Sequence, residues 1–527
     1  MKSHIRILLL LLAVYISICF SLAVADIIRV PEDYNTISKA ISQALLGDTI
    51  HVAEGEFSGD LKITSWISLI GAGKDKTIIK GSVEINSPTS ISFQNVTITK
   101  GLRCIDSSPS IKNLSITGGY NGYGIYARNS GFELDNFTIT NCGQGIRLET
   151  GSIQKIHNGT ISNLSSDHQN YSYGIYVDNL SSSLSITNVT LTNLQGSAIY
   201  VEASDKDIDI DFTDVTINDC KYGGIKCDGR SKENTNCRIN NVTITRVNRN
   251  YYAIDFSGFS NVNINKANIS DSGGINCSGT SKENTNCRIN NVTTTSCDGV
   301  IRGSGYSNVN IDNVTMTDGG SHGINCSGTS NTGDILNINK VTITDGGAYG
   351  IYCRRIKTAK VRNSVIGRNA NPGIYFKESE TGDFGTADDP GNNQIFRNRQ
   401  FLVQSDAKVT AIGNWWGMIS VPKGLFTNNV VYEPYLKAPP GESGAEEVLT
   451  TCLKGDVNGD QLIKSIDASL ALRIAAQLIE EPTEAQKCGA DMNEDGLVKS
   501  IDASLDASLI LRQAAGLNQV VGAPPLI

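Results

Sequence analysis

Residues 188–201 read NVTLTNLQGSAIYV, and they contain two short motifs that recur through the middle of the chain. The second of these is a small residue followed by isoleucine. Its isoleucines are Ile125, Ile146, Ile175, Ile199, Ile225, Ile254, Ile275, Ile301, Ile324, Ile351 and Ile374. Ten intervals cover 249 residues, which gives a mean period of about 25. An internal repeat of this length is typical of a solenoid.

The other motif has the form NVTIT, and it recurs together with the first. Its first residues are Asn95, Asn113, Asn136, Asn158, Asn188, Asp214, Asn241, Lys266, Asn291, Asn313, Lys340 and Asn363. One longer segment, SKENTNCRINNVT, begins at Ser231 and again at Ser281, so its two copies are 50 residues or two periods apart.

Alternation of residue character indicates that both motifs are strands. No residue two positions after a motif isoleucine is charged, whereas the position directly after it holds residues such as Arg147, Lys226 and Asp255. A unit of 25 residues with two short strands cannot bury an apolar face alone, but stacked units can. The sequence therefore predicts an all-β fold, a right-handed parallel β-helix of about fifteen coils over residues 26–437.

Both ends of such a solenoid need a cap. The apolar residues from Ile37 to Leu45 have helical spacing, and Gly47 follows them, which predicts an amphipathic N-terminal capping helix before a strand at 48–52. Near the other end, Trp415 and Trp416 in the sequence NWWG provide large side chains that can close the last coil.

The capping segments resemble those of a known family. The run VPEDYNTISKAISQALLGDTIHVAEGEF (residues 30–57), followed by SLIGAG (68–73), resembles the N-terminal signature of pectin-lyase-like right-handed β-helix proteins. NWWG and the segment at 432–436 are similar to their C-terminal closure. The resemblance implies the fold but no particular reaction, because this scaffold carries lyases, hydrolases, epimerases and non-catalytic binders.

The N-terminus predicts export. Lys2 and Arg6 precede a short apolar run, and residues 23–25 (AVA) suit a cleavage site, so residues 1–25 are expected to be a secretory signal. We expect a secreted, extracellular or surface-associated protein with no membrane span. The net charge of −8 and the absence of a basic region argue against nucleic-acid binding.

Thirteen cysteines and fourteen Asn-x-Ser/Thr sequons bear on modification. Cys326 and Cys353 occupy the predicted inward column in neighbouring coils, where they form either a disulfide or part of a ladder of buried free thiols. The sequons largely follow from the NVT repeat, so they are a weak indication of glycosylation.

The C-terminal region differs in composition from the repeats. Residues 438–451 are rich in Pro, Gly and Glu and read as a linker, residues 452–516 contain two related acidic loops, and residues 517–527 form a tail. The loops are DVNGDQLIKSID (456–467) and DMNEDGLVKSID (491–502). Oxygen ligands at positions 1, 3, 5, 7 and 12 of such a loop suit calcium.

The spacing predicts two Ca²⁺ ions, one for each loop. The predicted ligands of the first ion are Asp456, Asn458, Asp460, the Leu462 carbonyl and Asp467. Those of the second ion are Asp491, Asn493, Asp495, the Leu497 carbonyl and Asp502. Without a cation, three carboxylates within twelve residues would repel one another.

With aspartate at position 12 and an apolar helix after the loop, this region resembles a type I dockerin, which binds cohesin modules of scaffold proteins. The resemblance assigns partner contacts to Ser465 and Ile466 in the first loop, and to Ser500 and Ile501 in the second. Gln461, where the turn prefers glycine, and a repeated DASL at 502–509 depart from the pattern. Cys452 and Cys488 precede the two loops symmetrically, which suggests a disulfide clasp.

Two parts of the β-helix resemble motifs of polygalacturonases. Residues 321–324 (SHGI) and 355–358 (RIKT) are similar to the GHG and RIK motifs, and Asp298 lies about one coil earlier. This resemblance implies catalytic roles for Asp298, His322, Arg355 and Lys357. However, the NTD motif and the second aspartate of the family are not matched. The alternative is that His322 belongs to a variable outward column that holds tyrosine in other coils.

Aspartates after the NVT strands are a second feature of the repeats. Asp271, Asp298, Asp318 and Asp345 follow these strands in successive coils, either as a cation-binding column or as solvated turn residues.

Together, these features predict a secreted carbohydrate-active or carbohydrate-binding β-helix, tethered through a calcium-dependent dockerin to cohesin-bearing scaffolds. Any reaction is expected to cleave or modify an acidic polysaccharide. The alternative is a non-catalytic surface or adhesion protein whose repeats supply length and a binding face.

Overall fold

The computed structural model describes residues 25–441 and, beyond them, residues 455–458, 463–476, 486 and 490. Within 25–441 it leaves out residues 89, 120–121, 150–153, 166–171, 205–207, 230–234, 280–284, 299–300 and 329–333. The chain divides into two compact units, residues 1–321 with 325–337 and residues 322–324 with 338–527.

The described strands belong to two parallel sheets, a narrow sheet of 15 short strands and a wide sheet of 22 strands. The narrow-sheet strands are Leu61–Ile63, Val83–Ile85, Leu102–Ile105, Tyr123–Arg128, Gln144–Glu149, Tyr173–Leu180, Ser197–Ala203, Ile225–Gly229, Ile254–Ser257, Ile275–Ser278, Ile301–Ser304, Ile324–Ser327, Ile351–Arg354, Ile374–Lys377 and Val403–Ser405. Each coil contributes one narrow-sheet strand, which agrees with the prediction of about fifteen coils.

The wide sheet runs along the other side of each coil. Its strands are Ile27–Val30, Thr49–Val52, Gly55–Ser58, Ser68–Gly71, Thr77–Lys80, Ser92–Ile98, Ser110–Ile116, Phe132–Thr140, Gln154–Leu164, Leu184–Leu194, Asp209–Cys220, Asn236–Val247, Asn261–Ser270, Asn286–Thr295, Asn308–Thr317, Ile335–Thr344, Thr358–Arg362, Val365–Gly367, Thr381–Asp383, Gln394–Phe396, Lys408–Thr410 and Val430–Val431.

The core is formed by the inward columns that the sequence predicts. In the narrow sheet, the motif isoleucines align in register, as Ile146 does with Ile175 and Ile199 with Ile225. The residues two positions later, such as Val177, are also buried. Stacking identical apolar positions coil upon coil buries a face that no single coil could bury.

Each long wide-sheet strand bends at the first residue of its NVTIT motif. All twelve of these residues have a positive φ, between 50° and 63°. In the strand Leu184–Leu194, buried Ile186 and Val189 are three residues apart on either side of Asn188, so the alternation restarts there. Asparagine tolerates this left-handed conformation better than most residues. The NVTIT motif therefore marks a corner as well as a strand.

Side chains at these corners bond from coil to coil. The Asn113 amide donates to the Asn95 oxygen at 2.7 Å, Asn188 donates to Asn158 at 2.8 Å, and Asn313 donates to Asn291 at 2.7 Å. Backbone conformation and this ladder together account for the recurrence of asparagine, and hence for many of the sequons.

The predicted N-terminal helix is present but shorter than expected, since it spans Ile37–Gln43 and buries Ile37 and Ala40. Leu45 is 67% exposed and does not cover the apolar interior of the first coil. The reason is a turn at Ala44, whose backbone is extended, and the Asp48 carboxylate fixes this turn by accepting the Leu45 N–H at 2.8 Å. The following strand is Thr49–Val52.

Aromatic side chains close the last coils, as predicted. Trp416 is fully buried, and its ring lies 4.8 Å from that of Phe426 in an edge-to-face contact. Phe426 in turn stacks on Tyr432 with ring centroids 4.2 Å apart. A short 3-10 helix, Lys423–Leu425, precedes this cluster.

Beyond the coils, the described residues include the helix Ser465–Ala475. A small apolar cluster of Val457, Ala468, Ala471, Ile474 and Ala490 packs around it. Among the residues described, no helix has both the length and the apolar character needed to cross a membrane.

Candidate functional site

The outward face of the narrow sheet carries two columns of polar and aromatic residues. Register brings Tyr126 beside Arg147, and Tyr176 beside Tyr200, each pair in adjacent coils. Residues two apart on a strand point to the same side, so the position directly after the motif isoleucine and the position three after it share this face. We call the part of it from Glu84 to Asp255 the tyrosine face.

Tyrosine rings form a cluster at the middle of the tyrosine face. The ring of Tyr173 lies 4.9 Å from that of Tyr176 and 5.6 Å from that of Tyr200, and both pairs are stacked. The Arg147 guanidinium lies 4.5 Å from the Tyr176 ring centroid, and the Lys226 ammonium lies 5.1 Å from that of Tyr200. These cations hold the rings in place.

Carboxylates line the second column and bind the tyrosine hydroxyls. Tyr126 donates to Glu149 at 2.6 Å, Tyr176 to Glu202 at 3.3 Å and Tyr200 to Asp228 at 2.8 Å. The Arg147 Nε also donates to Glu149, at 2.7 Å. The face is therefore a connected network in which half-buried rings alternate with hydrogen-bonded carboxylates.

The network changes the protonation properties of its members. Burial and the nearby Asp178 and Glu202 carboxylates raise the pKa of Tyr176 to about 12, so this hydroxyl stays protonated and donates. Burial alone would raise the pKa of Asp228, but hydrogen bonds from Ser257 and Tyr200 outweigh burial and lower it.

A neighbouring carboxyl behaves in the opposite way. Burial raises the pKa of Asp255, and the charge of Asp228 adds to this, while the hydrogen bond from Asn276 and the charge of Lys226 oppose the shift only in part. Asp255 follows Asp228 by one coil, since Lys226 pairs with Asp255 and Asp228 with Ser257. The two carboxyls therefore have pKa shifts of opposite direction. Neither residue stands out in the sequence, because both look like ordinary outward positions of the repeat.

His322 lies in a second aromatic cluster, within the second compact unit. Its ring centroid is 5.3 Å from that of Tyr349 and 5.7 Å from that of Tyr352, and Tyr349 also contacts Tyr375 at 5.3 Å. These contacts fit the alternative interpretation, in which His322 belongs to an outward column that is mainly tyrosine.

Arg355 directly follows the C-terminal end of a narrow-sheet strand. It has a positive φ of 56° in the corner after Ile351–Arg354, and it pairs with Glu378 at 3.0 Å. Tyr352, which also contacts His322, precedes Arg355 by three residues, a distance along the strand of about 10 Å. Lys357 is exposed, and its carbonyl accepts the Thr381 N–H at 3.1 Å.

Asp298 lies in the first compact unit, where it is exposed and forms an ion pair with Arg249 at 3.6 Å. The catalytic role of Asp298, His322, Arg355 and Lys357 stays a prediction.

The aspartate column is a set of corners. Asp271, Asp318 and Asp345 have positive φ values of 48°, 53° and 61°, but in the coil of Asp298 the corner residue is Ser296. Asp345 is paired in the next coil with Arg368, whose guanidinium binds it through two bonds of 2.7 Å. Arginine side chains of the protein thus supply positive charge beside these aspartates. This arrangement fits the alternative that the aspartates are solvated turn residues.

The ten described cysteines are all buried free thiols. Of the two possibilities for Cys326 and Cys353, the structure has the ladder of free thiols. Cys452 and Cys488 lie outside the described residues, as does the proposed clasp between them.

The first acidic loop is described at its two ends. The Asp467 carboxylate is fully buried and accepts the backbone N–H groups of Val457 at 3.0 Å, Asn458 at 3.1 Å and Lys464 at 2.8 Å. Asp456 is also buried. A carboxylate has about four acceptor positions, so Asp467 keeps about one for a cation.

Two buried carboxylates at the ends of an oxygen-rich loop fit a hard cation such as Ca²⁺. Ser465 and Ile466 are both exposed at the start of the helix, as partner contacts would have to be. The other predicted residues of this region lie outside the described residues; they are Asp460, Leu462, Asp491, Asn493, Asp495, Leu497, Ser500, Ile501 and Asp502.

Two family models match parts of the chain. Residues 81–236 match the model described as right handed beta helix region, and residues 454–509 match the model described as dockerin type I domain. The first match confirms the predicted right-handed β-helix, and the second confirms the resemblance to type I dockerins, which are calcium-binding domains.

Several solved structures are similar to this chain at low sequence identity and low TM-score. A variant of the catalytic domain of GH87 alpha-1,3-glucanase in complex with nigerose is 13% identical, with 77% of this chain and 68% of that chain covered and a TM-score of 0.35. The mannuronan C-5 epimerase AlgE6 A-module of Azotobacter vinelandii is 11% identical (75% and 93% covered, TM-score 0.29).

A mannuronic acid specific polysaccharide family 6 lyase from human gut microbiota is 14% identical (78% and 91% covered, TM-score 0.27). None of the curated protein sequences with which the chain was compared matches it.

Proposed function

We propose that the chain is an extracellular polysaccharide-binding β-helix protein, held by its C-terminal dockerin to a cohesin-bearing scaffold. The observation that carries this proposal is the tyrosine face. Its cluster around Tyr176 is half exposed, and the hydroxyls are already bonded to Glu202 and Asp228. Aromatic rings that are fixed in this way can stack on the apolar faces of sugar rings, while the carboxylates can accept hydrogen bonds from sugar hydroxyls.

The charge of the tyrosine face favours a neutral polysaccharide. Its two columns hold six acids, which are Glu84, Glu149, Asp178, Glu202, Asp228 and Asp255, and four bases, which are Arg103, Arg128, Arg147 and Lys226. A polyuronide with a carboxylate on every sugar would meet this excess of negative charge. The expectation of an acidic substrate therefore applies better to a site elsewhere on the chain.

Binding is tested with wild-type protein in affinity gels that contain neutral glucans, xylans or polyuronides. Replacement of Tyr176 with alanine should weaken binding about two- to twelvefold, because a stacked ring contributes about 0.5–1.5 kcal/mol. Tyr34→Ala is the matched control, since Tyr34 is a half-buried tyrosine beside the N-terminal helix with Lys39 near its ring. Equal losses in the two variants, or no binding to any polymer, would refute the proposal.

The tether rests on the dockerin match and on the exposed Ser465 and Ile466. We propose two Ca²⁺ ions for each chain, and that binding to a cohesin module depends on them. Isothermal titration with calcium gives the stoichiometry directly. A cohesin pull-down should succeed in calcium and fail in excess chelator, and it should also fail after Asp456→Ala with Asp491→Ala. Retention of the cohesin in chelator would contradict this part.

A catalytic function is the second candidate, and the opposite pKa shifts of Asp228 and Asp255 favour it. In this case Asp255 donates a proton to a glycosidic oxygen and Asp228 acts as the base. A screen for new reducing ends or unsaturated products should then lose its signal with Asp255→Asn. Loss with His322→Ala instead would support the polygalacturonase-like residues. No turnover on any polymer, with binding retained, would support the non-catalytic surface protein.

A further inference from the structure

Two pairs of cysteines face each other across the core, where the narrow and wide sheets meet. Cys227 lies in the narrow-sheet strand Ile225–Gly229 and Cys237 in the wide-sheet strand Asn236–Val247. Both side chains are fully buried, and the two thiols are hydrogen-bonded to each other. Nine residues separate them in the sequence.

The same arrangement recurs two coils along the chain. Cys277 lies in the strand Ile275–Ser278 and Cys287 in the strand Asn286–Thr295, and both are fully buried with a hydrogen bond between their thiols. Nine residues again separate the two cysteines. In each pair, the second cysteine lies within one copy of the duplicated segment that begins at Ser231 and at Ser281, and the first cysteine lies four residues before that copy.

Register shows that the two pairs occupy equivalent positions two coils apart. Cys227 aligns with Phe256, which aligns with Cys277. Cys237 aligns with Val262, which aligns with Cys287. In the intervening coil, both facing positions are thus apolar.

A later coil provides an internal comparison. Cys326 continues the narrow-sheet column, and its sulfur lies 3.4 Å from the position a Cβ would take on Gly303, the residue that aligns with Cys277. Asn310 aligns with Arg288, the residue after Cys287, and Asn337 bonds to Asn310 from the next coil. Leu336, the residue before Asn337, therefore occupies the wide-sheet position that corresponds to Cys287. Cys326 has the same burial as the paired cysteines, but the register places Leu336, and not a cysteine, at the opposite wide-sheet position.

We propose that Cys227 with Cys237, and Cys277 with Cys287, are two sites of disulfide formation that link the narrow sheet to the wide sheet. The oxidant is a low-molecular-weight disulfide. One cysteine thiolate attacks it and releases one small thiol, and the second cysteine thiolate attacks the mixed disulfide and releases the other. Two protein thiols and one small disulfide thus become one protein disulfide and two small thiols, which carry away the two protons.

The timing of this reaction follows from burial. The thiol–thiol hydrogen bond and burial hold the pKa of Cys287 well above its usual range, and burial does the same for Cys227. The thiolate is the attacking species, so exchange is slow in the closed coils and faster while the coils are open. The bridges are therefore expected to form as the chain folds in the presence of the oxidant.

The test is a non-reducing peptide map of full-length protein refolded with oxidised glutathione, in which remaining thiols are alkylated under denaturing conditions. Peptides of Cys227 and Cys237 should appear linked, as should those of Cys277 and Cys287, while Cys326 should be alkylated. If all five were alkylated to the same extent, or if the links joined cysteines of different pairs, the proposal would be overturned.

A variant adds a second readout. Cys227→Ala should leave Cys237 alkylated and should not change the link between Cys277 and Cys287, whereas Cys326→Ala should change neither link. A Cys237 that became linked to another cysteine in Cys227→Ala would contradict the assignment.

Discussion

Replacing Asp467 with alanine tests the first acidic loop at its most buried point. The Asp467 carboxylate accepts three backbone N–H groups, from Val457, Asn458 and Lys464, at 2.8–3.1 Å. It is fully buried at the start of the helix Ser465–Ala475, whose apolar side packs on the small cluster around Ala471. Removal of the carboxylate leaves three loop amides without their acceptor and removes a predicted calcium ligand.

The magnitude follows from these contacts. A hydrogen bond to a charged acceptor contributes about 1.5–3 kcal/mol, and removal of one partner from a buried charged contact costs about 3–5 kcal/mol in total. At about 4 kcal/mol, the equilibrium for local opening of the helix shifts by about a thousandfold.

Hydrogen exchange of the full-length protein in calcium measures this opening. Amides of the helix Ser465–Ala475 should lose about three orders of magnitude of protection in Asp467→Ala. The loss should be smaller in Asp467→Asn, which keeps one acceptor oxygen. Ser469→Ala is the control, since Ser469 is exposed on the same helix.

The coils between residues 173 and 270 should exchange as in wild type in every variant. Unchanged protection of the helix in Asp467→Ala, or the same loss in Ser469→Ala, would refute the reasoning. Excess chelator should lower the protection of wild type towards that of the alanine variant.

Three further predictions concern the coils. At Asn188, where φ is 54°, replacement with valine should lower the free energy of unfolding by about 2 kcal/mol. Replacement with glycine should lower it by less, because glycine keeps the left-handed corner and loses only the side-chain hydrogen bond of the asparagine. Denaturant unfolding measures both variants, and equal losses would contradict the reasoning. Hydrogen bonds from Arg362 and Lys360 lower the pKa of Asp389 to about 2, so its contribution to stability is present above the unfolded pKa near 3.8 and is lost as pH falls through about 2. Acid unfolding of Asp389→Asn should therefore differ from wild type above this range and converge with it below. The control Asp388→Asn, at an exposed position, should follow wild type throughout. Trp416→Ala should cost about 3–5 kcal/mol because Trp416 is fully buried beside Phe426, and a thermal midpoint equal to that of wild type would show that the last coil does not depend on it.

The repeat in the sequence was sufficient to predict the β-helix. The column two residues after each isoleucine is uncharged because the core allows nothing else, and a period of about 25 allows only one short coil for each repeat. The corner at Asn188 was not predicted, since alternation alone does not show where a strand bends. A run of asparagines at one repeat position was the available signal for this left-handed conformation.

The candidate site was harder to predict from the sequence. Tyr176, Glu202 and Asp228 are far apart in the sequence and meet only through the register of neighbouring coils. The resemblance to polygalacturonases drew attention to His322 and Arg355 because their motifs are local. In the structure, His322 packs among tyrosines and Arg355 pairs with Glu378.

Radical footprinting with a saturating polysaccharide tests the central claim most directly, because it locates the bound chain on the protein. The ligand is the polymer that binds most tightly in the affinity gels. We expect oxidation of Tyr176 and Tyr200 to fall on binding, while oxidation of Tyr34 and of Tyr349 is unchanged. Protection of Tyr349 in place of Tyr176, or no protection of either, would show that the tyrosine face is not the binding surface.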